Sequence, residues 1–150
     1  MITMGGIPEQ YPFIEQLSRY QDIHFIVPRA GERIQIQGNL ALLPHHSGYF
    51  HPDLVNASDA LIGKAGYSKI AEIYYAGLPF GYIARARFRE SKVLVSFIET
   101  HMNGVPIEEN KFYDGTWLSC LPELLALPRI PRKGPHGAAQ VASFIYNLIV

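Results

Sequence analysis

A single cysteine, Cys120, among 150 residues excludes an internal disulfide and leaves no cysteine pair for a zinc site. Such a chain suits a reducing compartment, and a cytoplasmic location is expected. Net charge is absent as well, because 13 basic and 13 acidic residues cancel. No global field draws in nucleic acid or an anionic membrane, so any anion site has to be local. No apolar run approaches the ~20 residues needed to cross a bilayer, and the sequence does not open on a basic segment followed by a long apolar one. A soluble protein is expected, with peripheral membrane contact left open. The one tryptophan, Trp117, shares helical spacing with Leu118, Leu121, Leu124 and Leu125, which reads it as a core or interface anchor. Internal repeats and low-complexity segments are missing too.

What is present is enough for one well-buried domain: 48% of residues are hydrophobic and 17% charged. The chain is organised around residues 59–89. Ala60-Leu61-Ile62 is a short apolar run ending on Gly63-Lys64-Ala65-Gly66, and residues 69–76 follow with a helical pattern. Gly77 is placed to close that helix in a left-handed conformation, and Pro79 prevents continuation before the apolar run Phe80-Gly81-Tyr82-Ile83-Ala84. The stretch therefore reads as a βαβ unit whose glycine turn opens a helix. Gly63 and Gly66 are read as permitting the turn and a close approach by a ligand. The first-turn N–H groups and the helix dipole would receive an anion there.

Gly66, Glu72 and Gly77-Leu78-Pro79 together resemble the donor-binding signature of the GT-B glycosyltransferases. The tone is nearest to glycosyltransferase family 28, the peptidoglycan N-acetylglucosaminyltransferase, and predicted UDP-glycosyltransferases carrying Lys-Pro-Gly-Tyr-Gly-Thr in this turn. The resemblance implies that Gly66 faces the donor diphosphate, that Lys64 stands where many members place His or Arg beside it, and that Glu72 accepts hydrogen bonds from the ribose hydroxyls. Arg89-Glu90 stands where plant-type members carry Asp-Gln for the sugar. It implies a donor site drawn from Gly5, Gly6, Lys64, Ala65, Gly66, Tyr67, Ser68, Lys69, Glu72, Arg89 and Glu90. Two positions depart from the pattern: Ser68-Lys69 replaces Gly-Thr or Ser-Thr, and Arg89-Glu90 replaces Asp-Gln. They leave the hydroxyl contact and the identity of the sugar open.

Elsewhere, Met1-Ile2-Thr3-Met4 runs straight into Gly5-Gly6, so the polypeptide is expected to open inside a strand with a second β-to-α turn. In the resembling family the donor-binding half begins this way, and the chain is read as that half of a larger two-domain protein. Pro8 or Pro12 suits a first helical turn, and a helix is expected over residues 12–19. Residues 23–27 and 33–37 read as strands, the second nearer an edge. Residues 40–55 read as a loop ending in one or two helical turns, with main-chain contacts from Ala41, Leu42 and Leu43 to a uracil-like base as one option under the resemblance. His45, His46 and His51 complete no recognised metal-ligand spacing, and no metal is expected. Residues 90–102 read as a helix, 105–109 as an edge strand, 117–127 as an amphipathic helix, and 137–149 as a closing helix with Val141, Phe144, Ile145, Leu148 and Ile149 on one face. The basic residues Arg129, Arg132 and Lys133 sit in a proline-rich connector and read as a solvated linker rather than a phosphate patch.

These elements predict an α/β, Rossmann-like, doubly wound parallel sheet of about six strands with helices on both faces, one half of a GT-B fold. Its two glycine turns would open side by side if residues 1–4 and 60–62 are neighbours. The leading functional expectation is a glycosyltransferase donor domain. It would bind a nucleoside diphosphate sugar, preferably a UDP-sugar, for hexosyl transfer to an acceptor held by an N-terminal domain not in this chain. No other cofactor is expected. The chain alone would bind without turnover, since the family's catalytic base usually comes from the other half, and no catalytic residue is assigned here. A second expectation is a non-catalytic nucleotide or sugar-phosphate module attached to another enzyme such as a sugar kinase. A third is an interaction domain whose glycines only pack.

Overall fold

The computed structural model describes residues 1–5, 11–132 and 136–149. Gly6, Pro8 and Lys133 therefore lie outside the described residues. Two three-stranded sheets form the frame. In one, β4 (Leu61–Lys64), β5 (Phe80–Ile83) and β6 (Gly104–Pro106) run parallel in that order. In the other, β1 (Phe25–Gly31) pairs parallel with β3 (Leu40–Pro44), and β2 (Gln35–Gln37) pairs antiparallel on the far edge of β3.

Residues 1–3 join the two sheets. The Ile2 N–H donates to the Ile26 carbonyl of β1, the Thr3 N–H donates to the Ile62 carbonyl of β4, and the Ile62 N–H returns a bond to the Met1 carbonyl. Ile2 thus bridges Ile62 in parallel, so residues 1–4 and 60–62 are neighbours, which was the condition for the two glycine turns to open on one edge. From residues 1–3 the chain goes outward to β1 and β3, then returns to β4 on the other side. Strand order reverses at that point, which is where ligands sit in such sheets, outside the carboxyl ends of the strands.

Among the described residues six α-helices accompany the strands, α1 (His51–Asn56), α2 (Tyr67–Ala76), α3 (Ser91–His101), α4 (Glu109–Asp114), α5 (Leu121–Ala126) and α6 (Gly137–Ile149), the first five burying residues in the core. Alternation along the parallel strands sends successive side chains to opposite faces. Leu61 and Phe80 join Ile70 and Ile73 of α2 and Leu94 and Ile98 of α3 in one apolar cluster. Ile62, Ile83 and Val105 join Phe13, Phe112, Trp117 and Leu121 in the other. Both faces are covered, as a doubly wound α/β domain requires, and each fully buried aliphatic or aromatic side chain contributes roughly 1.5–3 kcal/mol. Trp117 is 1% exposed with its ring 5.3 Å from that of Phe13, so the anchor reading holds.

The structure corrects several expectations. Residues 40–44 form β3 rather than loop. Ala41, Leu42 and Leu43 pair with Ile26, Val27 and Pro28, and Ala41 and Leu42 also pair with Ile36 and Gln35 on the other side. Backbone groups held in two ladders are not available to a base. The expected helix over residues 12–19 is a 3-10 helix over Ile14–Arg19. Residues 117–127 are divided between a 3-10 turn (Thr116–Cys120) and α5, because Pro122 at the start of α5 lacks the N–H that one continuous helix would need. The closing helix α6 forms, but Val141, Phe144, Ile145, Leu148 and Ile149 are between 51% and 78% exposed.

Candidate functional site at the strand edge

The apolar run that feeds the site is longer than its glycines suggest. Gly63 lies inside β4, and Lys64 is its last residue. A Cβ on Gly63 would sit 2.1 Å from the Thr3 carbonyl oxygen, so glycine is required there by the close approach of residues 1–3 and not by a ligand. Ala65 is fully buried and its N–H donates to the Ile83 carbonyl. Gly66 is the N-cap of α2, extended at φ −137° and ψ 153°, and open space surrounds the position where a Cβ would stand. Neither the turn nor the packing demands glycine there, which corrects the sequence reading of Gly66; what the missing side chain leaves is an uncovered helix entrance.

No side chain caps α2, and the Ile70 N–H donates to the Gly66 carbonyl as the helix begins. The N–H groups of Tyr67, Ser68 and Lys69 therefore face the strand edge as unsatisfied first-turn donors. Tyr67 and Ser68 are exposed beside them. At the other end, Gly77 closes the helix at φ 70°, as its sequence position predicts.

On the α2 side of β4 the structure assembles a charged group. The Cδ of Lys69 lies 3.4 Å from where a Gly63 Cβ would be, so the lysine stem crosses the face that glycine leaves bare. One turn on, Glu72 accepts from His51 Nδ1 of α1 at 3.1 Å. Arg29, at the carboxyl end of β1, has φ +66° where the β1–β3 register shifts, and it acts electrostatically on both Lys69 and His51. Burial holds the His51 imidazolium below its usual range, with Glu72 opposing and Lys69 and Arg29 adding to the depression. Burial also pushes the Lys69 ammonium down to about 8, with Glu72 opposing and Arg29 reinforcing.

That shift has a measurable consequence. Between about pH 8 and 10.5 the unfolded chain keeps the Lys69 proton and the folded chain has released it, so stability rises with pH across that window. Below about pH 8 both states hold the proton and the desolvation cost is fully present. Lys69→Met should stabilise the domain at pH 7, on the order of 1–2 kcal/mol after discounting for solvent screening at a half-buried site. The difference in melting temperature between variant and wild type should shrink from pH 8 to 10; a constant difference would show that Lys69 is not the group responsible.

Gly5, Lys64, Arg89 and Glu90 lie at the same edge. Lys64 follows Gly63 in β4, so alternation directs it to the opposite face from Lys69. Gly5, at φ 112°, leaves the strand of residues 1–3 with open space around it. Arg89 and Glu90 are exposed in the turn after β5, where Glu90 is the N-cap residue of α3. That turn is closed by Ser91, whose hydroxyl accepts from the Arg85 N–H and donates to the Arg85 carbonyl. His45 and His46 stack edge to face at 4.5 Å, and among the described residues no three His, Cys, Asp or Glu side chains gather as a metal site. Arg29 and His51 were not among the sequence candidates. Arg29 had no local signal, and His51 drew attention only at a helix start and, with His45 and His46, as a metal reading that was set aside.

Beyond Glu72, a groove of about 780 Å³ runs between α1, α2 and the start of α6, with Asp53, Tyr75, Arg132 and His136 on its walls. Arg132 lies over the ring of Tyr74 at 5.2 Å, and Tyr75 meets His136 at 4.5 Å.

Fold and site together define a Rossmann-like α/β domain with an uncapped helix start and a cationic cluster at its strand-order reversal. No known family profile matches the sequence. The chain is similar to L-arabinokinase of Arabidopsis thaliana, at 27% identity over 150 residues, which is 100% of this chain and 14% of that protein. It thus spans about one-seventh of the length of that curated relative. Among solved structures it is similar to the glycosyltransferase SnogD from Streptomyces nogalater, at a TM-score of 0.49 and 14% identity, over 98% of this chain and 43% of that one. Among the described residues no helix is long and apolar enough to cross a membrane.

Proposed function

We propose that the domain binds a nucleoside diphosphate sugar, with uridine as the preferred nucleoside, in the manner of a GT-B donor domain serving hexosyl transfer. The observation that carries this reading is the uncapped start of α2 at the strand-order reversal, with an open face at Gly66 and a helix carboxylate, Glu72, one turn further on. First-turn N–H groups are preorganised donors for a diphosphate and need no rearrangement to receive it. In sugar transfer the nucleoside diphosphate is the leaving group, so charge grows on those same phosphate oxygens and fixed dipoles stabilise it where it develops. An acceptor-binding domain elsewhere in a longer protein would supply the base, and the isolated chain would bind without turnover.

Calorimetric titration with UDP, ADP, GDP and uridine tests the reading. UDP should bind best and uridine worst. Lys64→Met should weaken UDP by roughly three- to ten-fold, leave uridine unchanged, and blunt the loss of affinity that salt causes in the wild type. No heat from any nucleotide at millimolar concentration would remove the donor site, and an unchanged UDP-to-uridine ratio in Lys64→Met would place the charge contact elsewhere.

A second reading is favoured by the full-length match to one-seventh of a sugar kinase. On that reading the domain is a nucleotide or sugar-phosphate module beside a kinase and carries no transfer chemistry. Hydrolysis or transfer of a UDP-sugar by the longest natural polypeptide containing this chain, set against binding alone, separates the two.

A further inference from the structure

Arg29 and Lys69 are two cations drawn to one place, with Glu72 the carboxylate that acts on Lys69. Neither makes a hydrogen bond or an ion pair among the described residues, and the carboxylate beside Lys69, Glu72, is already bonded to His51. Their positions are held at a cost. Arg29 sits at φ +66°, a left-handed backbone that side chains other than Gly, Asn and Asp rarely adopt, and it does so at the irregularity where β1 leaves its register with β3. Strain of this kind persists where the surrounding structure enforces it and clusters at ligand sites. Lys69 reaches across β4 because Gly63 has no side chain, and that gap faces residues 1–3, the strand between β4 and β1. Arg29 near the end of β1 and Lys69 in the first turn of α2 repel each other, offset only in part by Glu72, and a dianion placed between them removes the repulsion and supplies the missing hydrogen-bond acceptors.

We propose that Arg29 and Lys69 form a phosphate seat on the α1 and α2 side of the strand edge, with His51 as its third wall, oriented by Glu72. The proposal rests on the nucleotide diphosphate reading and adds to it: one phosphate of the ligand lies between the Arg29 guanidinium and the Lys69 ammonium, on the face opposite Lys64, and is held by a residue of β1. Arginine suits a phosphate through its fixed fork of donors, and Lys69 through a compact charge beside the first-turn N–H groups of α2. Asp59 and Lys64 belong to β4 and the turn before it, so the groups facing Lys69 from the elements packed around it are Arg29, His51 and Glu72. A phosphate bound there stabilises the protonated amine, so binding near pH 8 takes up a proton.

The test uses Arg29→Gly and Lys69→Met in the full chain, with UDP and inorganic pyrophosphate as probes. Arg29→Gly relieves the left-handed strain and should melt no lower than wild type, which a purely structural arginine would not allow. Both variants should lose UDP affinity by about ten-fold or more. Wild-type binding at pH 8, measured in two buffers of different ionisation heat, should show proton uptake that Lys69→Met abolishes. If UDP binds wild type and both variants alike, the seat is overturned while the nucleotide reading stands. If UDP adds nothing over pyrophosphate, but pyrophosphate binding is lost in both variants, the seat stands and the nucleotide reading falls. No binding of either probe to wild type overturns both.

Discussion

Alanine at position 63 should cost the domain about 4 kcal/mol or more, enough to unfold many single domains whose whole stability is ~5–15 kcal/mol. The added methyl would stand 2.1 Å from the Thr3 carbonyl oxygen and 3.2 Å from its carbonyl carbon. These are backbone atoms of a strand fixed on both sides, through Ile26 and Ile62, so no side chain can swing away to make room. Over-packing of a yielding site costs ~1–3 kcal/mol, and an unyielding backbone contact goes beyond that. Gly66→Ala is the control. Its Cβ would meet nothing within 4 Å and its φ of −137° suits any residue, so its stability should stay within about 0.5 kcal/mol of wild type. Urea denaturation of both variants measures the difference. A Gly63→Ala protein within 1 kcal/mol of wild type would mean that residues 1–3 are not wedged between β1 and β4, and the strand-order reversal that positions the site would go with them.

The sequence made the central βαβ unit readable because its signals are local. An apolar run, Ile70 and Ile73 at helical spacing, then Gly77 and Pro79 each act within a turn or two of themselves, and each lands where expected, whereas Gly63, read as the start of the turn, lies inside β4. The role of Gly63 was not readable, since its partner is the Thr3 carbonyl, sixty residues away in sequence, and glycines near one another look alike until a sheet brings a second backbone against one of them. β3 was hidden by the His, Pro and Gly residues that follow it. Leu40-Ala41-Leu42-Leu43 carries no β-branched residue, and only burial between β1 and β2 makes it a strand. The cationic cluster escaped for the same reason. Arg29, His51, Lys69 and Glu72 come from three separate elements, and no spacing rule links them. Lys69 drew notice only as a departure from a resemblance, which marked the position without showing that its stem lies over Gly63. Arg89 and Glu90 illustrate the reverse case, where a position aligned with a family motif carries side chains that stand exposed at the head of α3.

Glu72→Ala should weaken UDP binding by about 1.5–3 kcal/mol, roughly 10- to 150-fold, if the carboxylate accepts the ribose hydroxyls. The structure complicates a simple deletion, because Glu72 already accepts from His51 Nδ1 at 3.1 Å. Removing the carboxylate leaves the imidazole without its partner and Lys69 without its nearest negative charge, so some loss could come through a displaced cluster. The two routes have different signatures. A ribose contact is lost for uridine as well as for UDP, whereas a disturbed phosphate seat affects UDP and spares uridine. His51→Gln supplies the second axis: it breaks the pair with Glu72 while leaving the carboxylate in place, so a ribose-binding Glu72 should keep most of its affinity for uridine in that variant. Folding should be little affected in either protein, since both side chains are about one-third exposed and a pair of that kind contributes at most about 1 kcal/mol. Equal UDP and uridine affinities in wild type and Glu72→Ala would confine Glu72 to orienting His51. A loss confined to UDP would assign Glu72 to the phosphate seat, with the ribose held elsewhere along the strand edge.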